Sequence, residues 1–153
     1  MADSRFVYVT YIRTTLEKLW RALTDPEFTR QYWVGTWHES EWKPGSSWKH
    51  MAPDGRVVNT GEVVEIDPPR RLVFKWRNEL FPEVRAEGHG RLTYELEKQG
   101  DSIKLTVITE MDKPESKFIQ KASEGWPLVL ASLKSLLETG ESLEETRQWP
   151  KGM

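Results

Sequence analysis

The chain has no cysteine, and that one absence removes disulfides, thiol nucleophiles, Cys-ligated zinc and iron–sulfur chemistry together. No apolar run approaches the roughly 18–20 residues of a membrane span, and the opening MADSRFVYVTYIRTT lacks the basic and apolar regions of a signal peptide. The expectation is a cytoplasmic protein without a membrane span. An excess of either charge is missing too: 22 basic residues against 24 acidic ones leave a net charge of −2. A reader of phosphate backbones normally carries a basic surplus, so no nucleic-acid partner is expected. The ten glycines sit mostly at turns and strand ends and form no phosphate-cradling loop. Ser46, Ser47 and His50 stand outside any nucleophile-elbow or triad spacing. His38, His50 and His89, the only histidines, contain no i, i+4 pair of the kind that binds a metal on a helix. No catalytic residue, metal or cofactor is assigned on these grounds.

The chain is instead rich in indole. Eight Trp accompany five Phe and four Tyr in 153 residues, a length that suits one domain with a substantial core. An ordinary core rarely needs so many indoles, because each N–H wants a partner. A cavity wall uses a wide flat ring with one polar edge well. Trp33, Trp48, Trp76 and Trp126 are therefore read as lining a cavity, although some of them must also serve as core.

Hydrophobic periodicity gives the order of elements. Phe6 to Ile12 alternates as a strand. Thr14 and Glu17 have the spacing of a capping box, and Leu16, Leu19, Trp20 and Leu23 follow at helical intervals, which predicts a helix over 15–24. Asp25 and Pro26 stop it and start a second short helix that runs to about Tyr32. Six strands are predicted at 36–42, 46–52, 57–66, 71–78, 88–98 and 102–110, divided by the turn signals PGS, PDG, DPP and QGD. Their apolar residues alternate with polar ones, as in an antiparallel meander with one buried face. From about Pro114 to Thr139, Phe118, Ala122, Trp126, Val129, Leu133 and Leu136 form one stripe of a long helix, closed by Gly140. Pro127 removes an interior N–H, which predicts a kink near Gly125-Trp126. The polar residues after Glu141 are expected to fray. The layout is α+β, with the last helix laid on the apolar face of a curved sheet and a cavity between them.

Several stretches carry a family resemblance: Leu19-Trp20-Arg21-Ala22-Leu23-Thr24-Asp25-Pro26, Tyr32-Trp33, Trp42-Lys43-Pro44-Gly45-Ser46-Ser47-Trp48, Gly61 to Leu72 with Phe74-Lys75-Trp76, and Glu124-Gly125-Trp126-Pro127 with Leu133 to Glu138. In this order, over about residues 5–139, the chain resembles the START-like, helix-grip (SRPBCC) superfamily. Within it, the chain is similar to the group of the activator of Hsp90 ATPase C-terminal domain. The resemblance implies a helix-grip fold: a curved antiparallel sheet wrapped around a long C-terminal helix, with two short helices after the first strand. Members of the superfamily bind lipids and other hydrophobic molecules, cyclise or dehydrate polyketides, or act on a chaperone, and all three roles stay open here. A homodimer and a chaperone partner are open in the same way.

The predicted ligand site follows from these faces. Trp33, Trp48, Trp76, Tyr94, Phe118 and Trp126 would supply apolar contact to a small hydrophobic or aromatic molecule. His50, on the same face as Trp48, and Glu62 would orient a polar group or move protons as a pair. Glu62 faces inward only if the 57–66 strand keeps Val64 and Ile66 inward; a slip at Gly61 would send it into water. His50 has a plainer reading as a hydrogen-bonded core histidine.

Overall fold

The computed structural model describes residues 3–150. Seven strands form one antiparallel sheet: β1 (Ser4–Ile12), β2 (Trp37–Ser40), β3 (Ser47–Met51), β4 (Val57–Asp67), β5 (Arg71–Asn78), β6 (Gly90–Gln99) and β7 (Ser102–Met111). Their order across the sheet is β1-β7-β6-β5-β4-β3-β2. Everything between β2 and β7 is thus a meander of sequential neighbours, and only β1 pairs out of sequence. Two helices, α1 (Leu16–Thr24) and α2 (Pro26–Tyr32), follow β1; a single turn, α3 (Pro82–Arg85), follows β5; and α4 (Lys117–Thr139) follows β7. The helix-grip architecture expected from the resemblance is the one found.

One face of the sheet makes the core. Leu72 and Phe74 of β5, Leu92 and Tyr94 of β6, and Ile103, Leu105 and Val107 of β7 are all buried. The burial alternates residue by residue along β7, as a period-2 pattern over a half-covered sheet requires. Leu130, Leu133 and Leu136 of α4 and Leu19, Ala22 and Leu23 of α1 complete the same cluster.

The local deviations have identifiable causes. Thr15, not Thr14, caps α1: its backbone is extended and its hydroxyl accepts from the N–H of Lys18 at 3.2 Å, so the helix starts one residue later than the capping box implied. Asp25 caps α2 as expected, accepting from the N–H of Glu27 at 2.9 Å. The turn α3 has no apolar period of its own and was not expected. It begins at Pro82, suited to a first helical position, after the Asn78 side chain has accepted from the N–H groups of Leu80 and Phe81. The helix α4 runs unbroken through Gly125, Trp126 and Pro127.

The expected fraying after Glu141 is a second point of difference. Glu144–Thr146 forms a 3₁₀ turn, and Thr146 is completely buried. Its hydroxyl pairs with Ser132 of α4 at 2.6 Å, and its carbonyl accepts from the N–H of Val34 at 2.6 Å. Ser132 also accepts from the N–H of Leu143 at 3.0 Å. Polar residues hold this segment down, which is why hydropathy alone gave no sign of it. Among the described residues, no helix is long and apolar enough to cross a membrane.

Candidate functional site

A cavity of about 400 Å³ lies between the sheet and α4. Phe118, Ala122, Trp126 and Val129 of α4 form one wall, His50, Asn59, Trp76, Leu92 and Thr109 of the sheet the other, and Trp33, Phe81 and Trp149 complete the lining. Of the residues predicted for the site, Trp33, His50, Trp76, Phe118 and Trp126 line it. Trp48 and Tyr94 do not; they lie in the core beneath it, where Trp48 packs on Trp76 with ring centroids 4.6 Å apart and Tyr94 meets the edge of Trp126 at 6.1 Å.

Glu62 is exposed, so the inward placement is corrected. The register explains it. Trp48 faces Gly61 and Val63 faces Phe74, which puts Asn59, Gly61 and Val63 on the inner face; a bulge between Val63 and Glu65 then shifts the phase so that Ile66 packs inward farther on. Counting back from Ile66 without that extra residue sends Glu62 to the wrong side. Gly61 itself is required by close approach: a Cβ there would stand 1.7 Å from the Lys75 carbonyl oxygen and 3.3 Å from the Trp48 ring.

The polar part of the wall comes from a row across three strands. His38 of β2 faces His50 of β3, which faces Asn59 of β4. All three are buried. Thr36 joins them from the turn after α2, in which Val34 and Gly35 both take positive φ and return the chain so that the Thr36 N–H meets the Trp33 carbonyl at 2.9 Å. The Thr36 hydroxyl lies 2.5 Å from that same carbonyl and 2.7 Å from His50 Nε2. A carbonyl only accepts, so the hydroxyl donates to it and receives the Nε2–H of His50. That leaves His50 Nδ1 bare, and it accepts from Asn59 Nδ2 at 2.8 Å. The tautomer is thereby assigned by its partners. Both nitrogens of His50 are occupied.

Behind this row, Trp48 Nε1 donates to His38 Nδ1 at 3.1 Å. Burial lowers the His38 pKa to about 3, and burial together with the nearby His38 pushes His50 well below the ordinary histidine value. Both rings are neutral at pH 7. Trp33 holds the centre, with its ring centroid 4.8 Å from His50, 5.1 Å from Trp126 and 6.0 Å from Trp76. The result is an aromatic box with a neutral hydrogen-bonding panel.

Two basic side chains lie against aromatic rings of the lining. Lys121 sits over the Phe81 ring at 4.0 Å, and Arg56 lies 5.9 Å from the ring centroid of Trp149. Sequence reasoning missed Thr36, Asn59 and Trp149. Asn59, a polar residue inside a valine-rich strand, was the one available signal. Among the described residues, no group of three or more His, Asp or Glu side chains is placed to hold a metal ion.

A family model for activator of Hsp90 ATPase homolog 1-like proteins matches residues 13–138. The chain belongs to that family. Several solved structures share the family fold. Protein MLL2253 from Mesorhizobium loti aligns at 23% identity over 88% of this chain and 97% of its own, with a TM-score of 0.74. DynU16, from the dynemicin biosynthetic locus, aligns at 20% identity over 96% of this chain and 50% of its own, with a TM-score of 0.76. The Aha1 dimer from Colwellia psychrerythraea aligns at 17% identity over 91% and 99%, with a TM-score of 0.72. No protein of curated function matches the chain significantly. Identities this low establish the fold, and function has to be argued from the site.

Proposed function

We propose that this chain binds a small hydrophobic, largely aromatic molecule in the cavity between the sheet and α4. The observation that carries the reading is the cavity itself: about 400 Å³, walled by Trp33, Trp76, Phe118 and Trp126, with His50 and Asn59 among the polar residues of its lining. Flat rings with few convergent polar atoms are what a small-molecule site uses to gain affinity by burial and orientation by hydrogen bonding. Native mass spectrometry and tryptophan quenching against a panel of lipids, flavonoids and polyketides test it. At least one class is expected to bind, and Ala122→Trp, which fills the space from α4, is expected to abolish that binding while leaving the circular dichroism spectrum unchanged. Absence of binding across the panel, with no unexplained density in a crystal structure of the purified protein, overturns the reading.

A cyclase or dehydratase would use His50 with Glu62, and here Glu62 lies on the other face of the sheet while both His50 nitrogens are engaged by Asn59 and Thr36. The geometry therefore favours holding a molecule over moving its protons.

A further inference from the structure

The sheet has two edges, and they are built differently. At one, β2 is four residues long and the Arg30 guanidinium of α2 lies 4.5 Å from its Trp37 ring centroid. At the other, β1 runs for nine residues, SRFVYVTYI, in unbroken register with β7 and without a proline, glycine or lysine. Short strands, bulges, prolines and lysines are what keep an edge from pairing with another chain, and β1 has none of them. Val7, Val9 and Tyr11 on its outer face are 45%, 43% and 47% exposed, three of the four large apolar side chains exposed among the described residues. The same residues turn their backbone outward. Leu96 of β6 donates its N–H on the β5 side, to the Arg70 carbonyl at 2.8 Å, and backbone groups alternate sides along a strand. Thr93 and Glu95 therefore bond to β7, Val107 and Thr109 of β7 to β1, and Tyr8 and Phe6 of β1 back to β7. Arg5, Val7, Val9 and Tyr11 are left with N–H and C=O at the open edge. The Tyr11 carbonyl, which accepts from Lys134 Nζ of α4, fits that direction.

We propose that β1 is the surface on which two copies of this chain pair, antiparallel and edge to edge, joining their sheets into one. Lys134 already occupies the Tyr11 carbonyl, so the pairing centres nearer the start of the strand: Val7 meets Val7 of the partner on the two-fold axis, and Arg5 meets Val9 of the partner. In this register the residues with outward backbone groups face one another, so each pair exchanges two main-chain hydrogen bonds. A second copy suits the edge better than an unrelated strand because the side chains answer one another twice by symmetry. The two valines close an apolar centre. Arg5 lays its stem over the partner's Val9 and brings its guanidinium to the partner's Tyr11 ring on the diagonal. Asp3 comes level with the partner's Tyr11, beside the ammonium of the partner's Lys134, while the two Arg5 charges stay about 14 Å apart, separated by four residues of strand. One strand a side buries less than the roughly 1,200 Å² of a standard interface, so the dimer is weak and depends on concentration.

Sedimentation velocity of the full chain from about 5 to about 500 µM reads the association. The sedimenting mass is expected to rise from 17.9 kDa toward twice that value. Val7→Lys, which sets two like charges on the axis, is expected to weaken the association at least about tenfold. Disulfide trapping reads the register, helped by the absence of any native cysteine. Positions 7 and 11 are about equally exposed, yet only Val7 stands within disulfide reach of its own copy, at about 5.5 Å between Cα atoms, while the two Tyr11 are about 27 Å apart. Val7→Cys is therefore expected to give a covalent dimer under mild oxidation, and Tyr11→Cys to stay monomeric. If Val7→Lys fails to fold, the trapping pair still decides. A wild-type chain that remains at 17.9 kDa up to about 500 µM overturns the proposal. A dimer that Val7→Lys leaves intact, or equal trapping at both positions, overturns it as well. Val7 lies outside the cavity lining, so each of these results leaves the ligand-binding reading where it stood.

Discussion

His38 and His50 are held neutral inside the protein, and this makes stability depend on pH in a region where carboxylates contribute little. Burial lowers His38 to about 3, and His50 also lies well below its ordinary value. In the unfolded chain both rings titrate near 6.5. Below that pH the unfolded state takes up protons that the folded state refuses, so stability is fully present above about 6.5 and is lost as pH falls from there. For His38 the loss approaches about 1.4 kcal/mol per pH unit and amounts to about 1.6 kcal/mol between pH 6.5 and 5.0, and His50 adds to it in the same direction. A domain of this kind has a total of about 5–15 kcal/mol. Urea denaturation followed by tryptophan fluorescence at pH 7.5, 6.5, 5.5 and 5.0 measures the loss. His89, which is exposed, is best replaced by Asn in the reference background so that its smaller effect is removed. His50→Gln should reduce the slope between pH 6.5 and 5.0. A free energy of unfolding that changes by less than about 1 kcal/mol over that window would refute the reasoning, because it would mean that the folded protein accepts the protons.

Three further outcomes follow from named contacts. Gly61→Ala drives a Cβ to within 1.7 Å of the Lys75 carbonyl, so β4 and β5 must part; a loss of about 3 kcal/mol or more is expected in thermal or urea unfolding. Gly125→Ala is expected to stabilise by about 0.5–1 kcal/mol, because the added Cβ meets nothing within 4 Å and the helix gains a better former; a lower melting temperature would show that α4 needs glycine there. Glu87 anchors the start of α4 by accepting from Ser116 Oγ at 2.5 Å and Lys117 N at 2.8 Å. Although burial pushes its carboxyl upward, those hydrogen bonds hold it below the usual carboxylate range. Glu87→Gln should therefore cost about 1 kcal/mol at pH 7, with the difference from wild type shrinking below about pH 4 as the native carboxylate takes up its proton.

Most of the fold was legible in the sequence because the large apolar residues of its strands recur at period 2. Leu72, Phe74 and Trp76, or Ile103, Leu105 and Val107, can occupy only one face of a half-buried sheet, and the long stripe from Phe118 to Leu136 can only be a helix lying on it. The site was legible only in its aromatic half. Its polar half is assembled by cross-strand register: His38, His50 and Asn59 are far apart in sequence and meet because β2, β3 and β4 are aligned on one another. The single extra residue that misplaced Glu62 leaves no mark in composition, since Val64 suits a bulge as well as a ladder. Thr146 was missed for a related reason: its role is to satisfy Ser132, and a buried hydroxyl pair has no periodicity.

The segment after α4 bears on where this domain ends. The family match stops at residue 138, and a fragment cut there would keep every strand and every helix of the grip. It would also strand the Ser132 hydroxyl in the interior, leave the Val34 N–H without its acceptor, and remove Trp149 from the lining of the cavity. The unit recognised by similarity and the unit that is chemically complete are therefore different lengths. A comparison of ligand preference between family members has to extend past the shared helix, because Trp149, which lines this cavity, lies outside the matched residues.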